Sequence, residues 1–346
     1  MAVATLACAG DVMINRQDER TMLRHVAQIF RAADLTYCNQ EGPICEPGDK
    51  HAGKAGSTVA HLRSTTGTAA ALADAGVDVV SLPNNHTLDY GVSGLHQTIK
   101  ALYEAGIAYG GAGDDLAAAR KPVILDVKGL RVALLSYTSV CVPAFAATAS
   151  SPGVAMVKIK TTYEVNLRLF QQPGSPIYIS TSGEPEDVAM VVDDIAAAKA
   201  SADIVLVAWH WGISERWGKL ADYQKTLARV AIDAGASAIL GHHAHMLAGV
   251  EFYRGCPIFY CLGNFAFDAD HHYFRRESMI ALCDLSREGV SKVRVVPLMI
   301  NDEHEPVPVP MKGAGQKVGW FLEYLSEGMN TNFVYHDDCI ELRPQK

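Results

Sequence analysis

The stretch SAILGHHAH, residues 237–245, runs from a short apolar segment straight into three imidazoles within four residues. Residues 237–240 read as a buried strand, and Gly241 as the residue that breaks it. Three histidines so close together seldom serve packing. Alternate residues of an extended chain face the same way, so a His-x-His pair after a strand can send both rings to one side, where they can hold a metal ion.

Four segments upstream repeat the pattern. Residues 3–9 are an apolar run that stops at Gly10-Asp11, and residues 35–38 read as a strand ending at Asn39-Gln40-Glu41-Gly42-Pro43. Residues 77–82 lead to Pro83-Asn84-Asn85-His86-Thr87-Leu88-Asp89, and residues 204–208 lead to His210-Trp211-Gly212. In open α/β sheets the carboxyl ends of strands border one crevice, so these five loops can converge. Carboxylate, amide oxygen and imidazole, without a thiolate set, suit one or two divalent metal ions, with Mn, Fe or Zn favoured over Mg.

Between these runs the spacing turns helical. Leu23, Val26, Ala27 and Phe30 mark one face of a helix, residues 68–75 form another closed by Gly76, and Leu95, Ile99 and Leu102 line a third that ends at Gly106. Val188, Val191, Val192 and Ile195 give a helix before the strand at 204–208, and residues 220–234 are helical. Residues 122–127 and 131–137 flank Lys128-Gly129-Leu130 as a hairpin. From residue 249 onward strands follow one another, at 249–253, 257–262, 278–285 and 290–297. Leading βα units and a trailing β-rich stretch imply sheets packed between helices, not one parallel sheet. Residues 139–185 fit this scheme poorly. PAFAATASSPG and QQPGSP are loop-like, an excursion that either covers a site or lies idle on the surface. Tyr109-Gly110-Gly111-Ala112-Gly113 has no following Lys-Ser/Thr and reads as a turn, not a phosphate cradle. Residues 1–300 are expected to form one domain, with 301–346 an extension packed on it that gives no functional signal.

Composition narrows the class. The chain has 346 residues, 49% hydrophobic and 20% charged, enough to bury a large core. A net charge of −8 argues against nucleic-acid or anionic-membrane partners, which need a basic surface. No apolar run approaches the length of a membrane span, and the first nine residues lack a basic n-region. The eight cysteines include no CxxC pair and read as small buried thiols in a reducing compartment, so a cytoplasmic location is expected.

GDVM, NQEGP, LPNNHTLDYG, HWG, GHHAH and YCLGNFAFD, in that order, resemble the motif series of the CapA family of poly-γ-glutamate capsule proteins. That family is itself similar to calcineurin-like metallophosphoesterases. The match runs from Gly10 to about Asp268. It implies an α/β fold, a metallophosphoesterase-like four-layer αββα sandwich of two mixed β-sheets flanked by helices. It also implies a metal centre. Asp11 stands where the first-motif aspartate ligand lies, Glu41 near the bridging carboxylate with Asn39 as a neighbour, and Asn85 resembles the amide ligand. His86 resembles the histidine that protonates the leaving group, and Asp89 is placed to orient it. His210 looks like the lone histidine ligand, and His243 with His245 like the closing pair, which leaves His242 as an extra imidazole grouped with substrate contacts.

The departures are local. Met13 occupies a position where metallophosphoesterases usually carry a histidine, and Ala244 one where the family often has proline. The Glu that usually follows HWG two residues on is replaced by Ser214, with Glu215 displaced by one, and both count as substrate contacts. Arg63 aligns with a segment that often contains arginine, whose fork suits a phosphate or carboxylate. His271, His272, Arg275 and Arg276 follow the last motif and can form a positive rim for an acidic substrate. The resemblance implies a metal-dependent hydrolase acting on a small anionic substrate, a phosphate ester, through a metal-bound hydroxide, with manganese among the candidate metals. The same centre can serve an amide, lactone or ether instead. A non-catalytic accessory role in poly-γ-glutamate or capsule production is the third reading, and a homo-oligomer is compatible with all three.

Overall fold

The computed structural model describes residues 4–54, 60–165, 171–214, 218–269 and 275–345. Glu215, His271 and His272 lie outside the described residues. Two mixed sheets organise the chain. In the larger one, ten-stranded among the described residues, the first strand Ala4–Met13 lies at the centre. Leu35–Gln40, Val79–Ser81 and Ala108–Gly110 follow it in parallel on one side, and Glu277–Ser286 and Gly289–Ile300 continue it antiparallel on the other. In the smaller, Leu130–Thr138, Ile204–His210, Ala238–His242 and Cys256–Phe259 are parallel, with Val123–Val127 and Val250–Tyr253 as antiparallel edges.

The alternation of side chains sorts the layers. Leu6 and Cys8 of the first strand share a cluster with Tyr37, Val79, Leu134, Leu206 and Leu240, so the two sheets pack face to face. Ala7 and Ala9 point the other way, onto Phe30, Leu72 and Leu95 of helices covering the larger sheet. Val205, Val207 and Ile239 pack outward on Val191, Ile195, Leu227 and Ala231 of the helices Pro185–Ser201 and Asp222–Asp233. The result is the four-layer αββα sandwich. Each fully buried Leu, Val or Ile in these three clusters contributes about 1.5–3 kcal/mol.

Two glycines read as strand breakers are instead close-approach positions inside strands. The first strand runs through Gly10 and Asp11 to Met13, with its register shifting between Cys8 and Asp11. A Cβ on Gly10 would stand 1.9 Å from the Gly263 carbonyl oxygen, and the Asp11 N–H donates to that same oxygen at 2.9 Å. Gly241 likewise stays in its strand, opposite Trp209, and a Cβ there would stand 2.2 Å from the Tyr260 carbonyl oxygen. The helix expected around Leu23–Phe30 is two short pieces, a 3-10 turn Glu19–Leu23 and a helix Ala27–Ala32, although all four face residues are buried. The 139–185 excursion is more ordered than its composition suggests: Ile159–Glu164 and Tyr178–Gly183 pair as an antiparallel ribbon. The chain's last strands, Thr331–Tyr335 and Ile340–Pro344, extend the larger sheet, while Val318, Leu322 and Leu325 of helix Gln316–Leu325 join the core between the sheets.

Candidate metal centre

The parallel strands end at one edge of the sandwich, and there the two sheets contribute different chemistry. The larger sheet supplies Asp11, Glu41, Asn85 and His86; the smaller supplies His210, His242, His243 and His245. Glu41 is the middle of the cluster. It is fully buried, and neither carboxylate oxygen has a hydrogen-bond partner. Around its Oε1 stand three imidazole nitrogens: His245 Nε2 at 3.6 Å, and His210 Nε2 and His86 Nε2 each at 3.9 Å. Asp11, Glu41 and His210 offer ligand atoms within 4.8 Å of one another. Asn85 Oδ1 is 2.8 Å from His210 Nε2, and His243 Nδ1 is 3.2 Å from the same nitrogen.

The 3.6–3.9 Å spacings around Glu41 fit an ion better than they fit hydrogen bonds. Ligands at about 2.1 Å from a tetrahedral metal lie about 3.4 Å apart, and a buried carboxylate without donors is costly unless a cation meets it. Electrostatics agree. Burial pushes the Glu41 carboxyl well above the ordinary carboxylate range, and Asp11 adds to the effect. Burial and the other imidazoles hold His210 well below its usual value; burial first, then His245, takes His243 down to about 3. The His210 and His243 imidazoles are therefore neutral and ready to ligate at physiological pH. The buried Asp11–Glu41–His210 cluster can hold a metal ion.

The loop carrying the histidine pair is strained: His243 has φ +96° and His245 φ +56°, a region that side chains rarely occupy. The strain turns consecutive rings to different tasks. His245 Nδ1 lies 2.8 Å from Asn264 Oδ1, which presents Nε2 to Glu41. His242, expected among the substrate contacts, is 1% exposed. Its Nδ1 is 2.8 Å from Asp11 Oδ1 and its Nε2 2.8 Å from the Tyr37 hydroxyl, so both nitrogens are consumed inside the protein. Asn39 is equally engaged, donating to Asp11 Oδ1 at 2.9 Å and accepting from Ser81 at 2.9 Å. Burial opposes ionisation of Asp11, but His242, His245 and Asn39 outweigh it and keep its carboxyl below the ordinary range.

On the far side of Glu41, His86 Nδ1 lies 2.6 Å from Asp89 Oδ2, the orienting contact expected from their spacing. Sequence reading missed the third member. Lys54, buried at the end of a 3-10 turn Ala52–Lys54, donates to Asp89 Oδ1 at 2.5 Å and to the Asn85 and Ala60 carbonyls, and its Nζ is 3.0 Å from His86 Nδ1. Nothing in the pattern around residue 54 marks it, because a lone lysine in a polar loop is ordinarily solvated. Burial lowers Lys54 against the raising effect of Asp89, and burial takes His86 down to about 4 despite Asp89.

The bacterial capsule synthesis protein PGA_cap family matches residues 5–269. The chain belongs to that family. It is 31% identical to the PGA biosynthesis protein CapA of Bacillus subtilis over 97% of this chain and 81% of that one. The capsule biosynthesis protein CapA of Bacillus anthracis is 33% identical over 88% of this chain and 69% of its own length. A hypothetical protein from Thermus thermophilus, of known crystal structure, aligns over 88% of this chain and 96% of its own at 17% identity and a TM-score of 0.42.

Around the PGA_cap centre the outer candidates are less concentrated. Met13 is buried with 2% exposure and brings no hard donor to the cluster. Arg63 donates to the Cys45 carbonyl at 3.2 Å and lines a cavity of about 440 Å³ with Arg16, Glu19 and Glu46. Arg275 pairs with Glu277 at 2.9 Å and Arg276 with Asp302 at 2.6 Å, so each guanidinium of the expected rim already faces a carboxylate. Ser214 is half-buried on the loop after His210. All eight cysteines are free thiols, five of them buried. Among the described residues no helix is long and apolar enough to cross a membrane.

Proposed function

We propose that this chain is a metal-dependent hydrolase of a small anionic substrate, a phosphate ester in the leading reading. The observation that carries it is Glu41: a fully buried carboxyl with neither oxygen hydrogen-bonded, ringed by imidazoles from both sheets. Asp11, Glu41, Asn85, His210, His243 and His245 would hold one or two divalent ions, Mn, Fe or Zn before Mg. A divalent ion there supplies Lewis acidity and an acidified water near neutral pH.

The chain's own residues do the rest. Asp89 accepts from His86 Nδ1–H, so the unprotonated Nε2 faces the centre. Because burial keeps this ring neutral, it takes up a solvent proton at Nε2 and gives that same proton to the leaving oxygen, and Asp89 stabilises the cation in between. Lys54 donates to Asp89 Oδ1 and holds the carboxylate in place for that task. His210→Ala or His243→Ala should abolish metal binding and turnover of a phosphate ester together. Unchanged turnover in chelator-stripped protein would sink the reading.

Met13 favours a variant in which one ion acts on an amide, lactone or ether, since the first site lacks a histidine. Elemental analysis of protein purified without chelators separates the two: close to two ions per chain supports the phosphoesterase, close to one the mononuclear alternative. The names of the Bacillus relatives favour a further reading, an accessory protein of poly-γ-glutamate or capsule synthesis. Tight binding of an anionic polymer with no metal dependence would select it.

A further inference from the structure

The polar residues behind the metal centre form a closed circuit. Asp11, Asn39 and Ser81 are register partners on three adjacent parallel strands, so they lie in one row on the inner face of the larger sheet. Tyr37 is two residues before Asn39 and shares that face. Ser81 donates to Asn39 at 2.9 Å, and Asn39 donates to Asp11 Oδ1 at 2.9 Å. Tyr37 Oη is 2.9 Å from Ser81 Oγ and 2.8 Å from His242 Nε2. His242 Nδ1, 2.8 Å from Asp11 Oδ1, closes the loop. A carboxylate oxygen only accepts, so Nδ1 carries the proton in that contact. All five residues are buried, none with more than 3% exposure.

Four members come from the larger sheet and one from the smaller, so the circuit bonds the sheets to each other at the level of the site. Its effect on Asp11 is specific. Oδ1 receives both Asn39 and His242, and Oδ2 is left facing the His243 N–H at 3.3 Å and His245 Nδ1 at 4.0 Å. We infer that His242 and Tyr37 are positioning residues of the metal centre: His242, held by Tyr37, occupies Asp11 Oδ1 beside Asn39 and holds the carboxylate so that Oδ2 alone is offered to a cation. This rests on the metal-binding reading above. It removes His242 from the surface that meets substrate and gives it a partner, Tyr37, that no motif marks.

The test uses the full chain, stripped of metal and titrated with Mn²⁺ by calorimetry, with Co²⁺ absorption as a report of ligand geometry. The amide nitrogen of asparagine falls near the place of Nδ1, and that of glutamine near Nε2. His242→Asn should keep the contact to Asp11 and bind Mn²⁺ within a few-fold of wild type. His242→Gln should lose it and bind roughly 10–100-fold more weakly, with an altered Co²⁺ spectrum. Tyr37→Phe removes one buried hydroxyl without changing packing volume, and should weaken binding by about 10-fold while the metal-free protein stays folded. It serves where a His242 variant fails to fold. Wild-type affinity in both His242→Gln and Tyr37→Phe overturns the inference while leaving the metal centre intact. Equal losses in His242→Asn and His242→Gln overturn it too, by assigning the ring to packing. A wild type that takes up neither ion overturns the metal reading and this inference with it.

Discussion

The metal centre and the ribbon formed by Ile159–Glu164 and Tyr178–Gly183 invert the ordinary distribution of polarity in opposite senses. At the centre, Asp11, Glu41, Asp89, Lys54 and the imidazoles of His86, His210, His242 and His245 are buried. On the ribbon, Tyr163, Tyr178 and Ile179 are 64%, 66% and 52% exposed. Buried charge is the expensive departure and needs a reason at every atom, whereas scattered exposed apolar side chains cost little. Almost every polar atom of the centre has such a reason in a partner. The Glu41 oxygens have no hydrogen-bond partner, and the cluster around them can hold a cation. The ribbon is tied to the body by modest contacts: the Thr181 N–H to Asp222 and the Tyr223 N–H to Thr181, each 3.3 Å.

The contrast makes graded predictions. Lys54→Met should have the largest effect on the fold. It strands Asp89 as a buried carboxylate and should destabilise the chain by about 3–5 kcal/mol, read by denaturant unfolding; a loss under 1 kcal/mol would show that solvent reaches Asp89. Glu41→Gln should weaken divalent-metal binding by about 100-fold and yet raise the melting temperature of the metal-free protein at neutral pH, because the amide is neutral in the buried site without having to hold a proton there. A melting temperature that falls instead would mean that Glu41 is partnered in solution.

Proton linkage comes next. Glu41 holds a proton because of burial, while His243 near 3 and His86 near 4 have already lost theirs at pH 5. A carboxyl raised in the folded state costs the metal-free fold stability as pH climbs above the ordinary carboxylate range. Metal uptake must displace that proton, so affinity should rise with pH and the calorimetric heat should depend on the buffer's ionisation enthalpy. Buffer-independent heats would break the assignment. The smallest effects belong to the ribbon. Tyr163→Ser and Ile179→Ser should each shift stability by less than about 0.5 kcal/mol and leave metal affinity unchanged; weakened metal binding would place the ribbon over the centre.

Much of the centre was legible because parallel strands concentrate their carboxyl-terminal loops at one edge. Five polar clusters after apolar runs pointed to the loops, and the family resemblance singled out Asp11, Glu41, Asn85, His86, His210, His243 and His245 within them. The spacing of His86 and Asp89 within one turn also anticipated their contact. Lys54, Tyr37, Ser81 and Asn264 were not singled out. Each acts through a partner far away in sequence, and a single hydroxyl, amide or amine carries no periodicity. Gly10 and Gly241 were misread because a glycine that admits a neighbouring backbone looks, in one dimension, like a glycine that ends a strand.

Local chemistry by itself determined the alternating elements and the ligand types, since these follow from side-chain period and donor identity along a short stretch. Only the tertiary structure decided what each ligand atom faces. Whether an imidazole meets a carboxylate across the sheets or a tyrosine behind it depends on register and on the separation of the two sheets. Those are set by the sum of the packed layers, and no segment carries them alone.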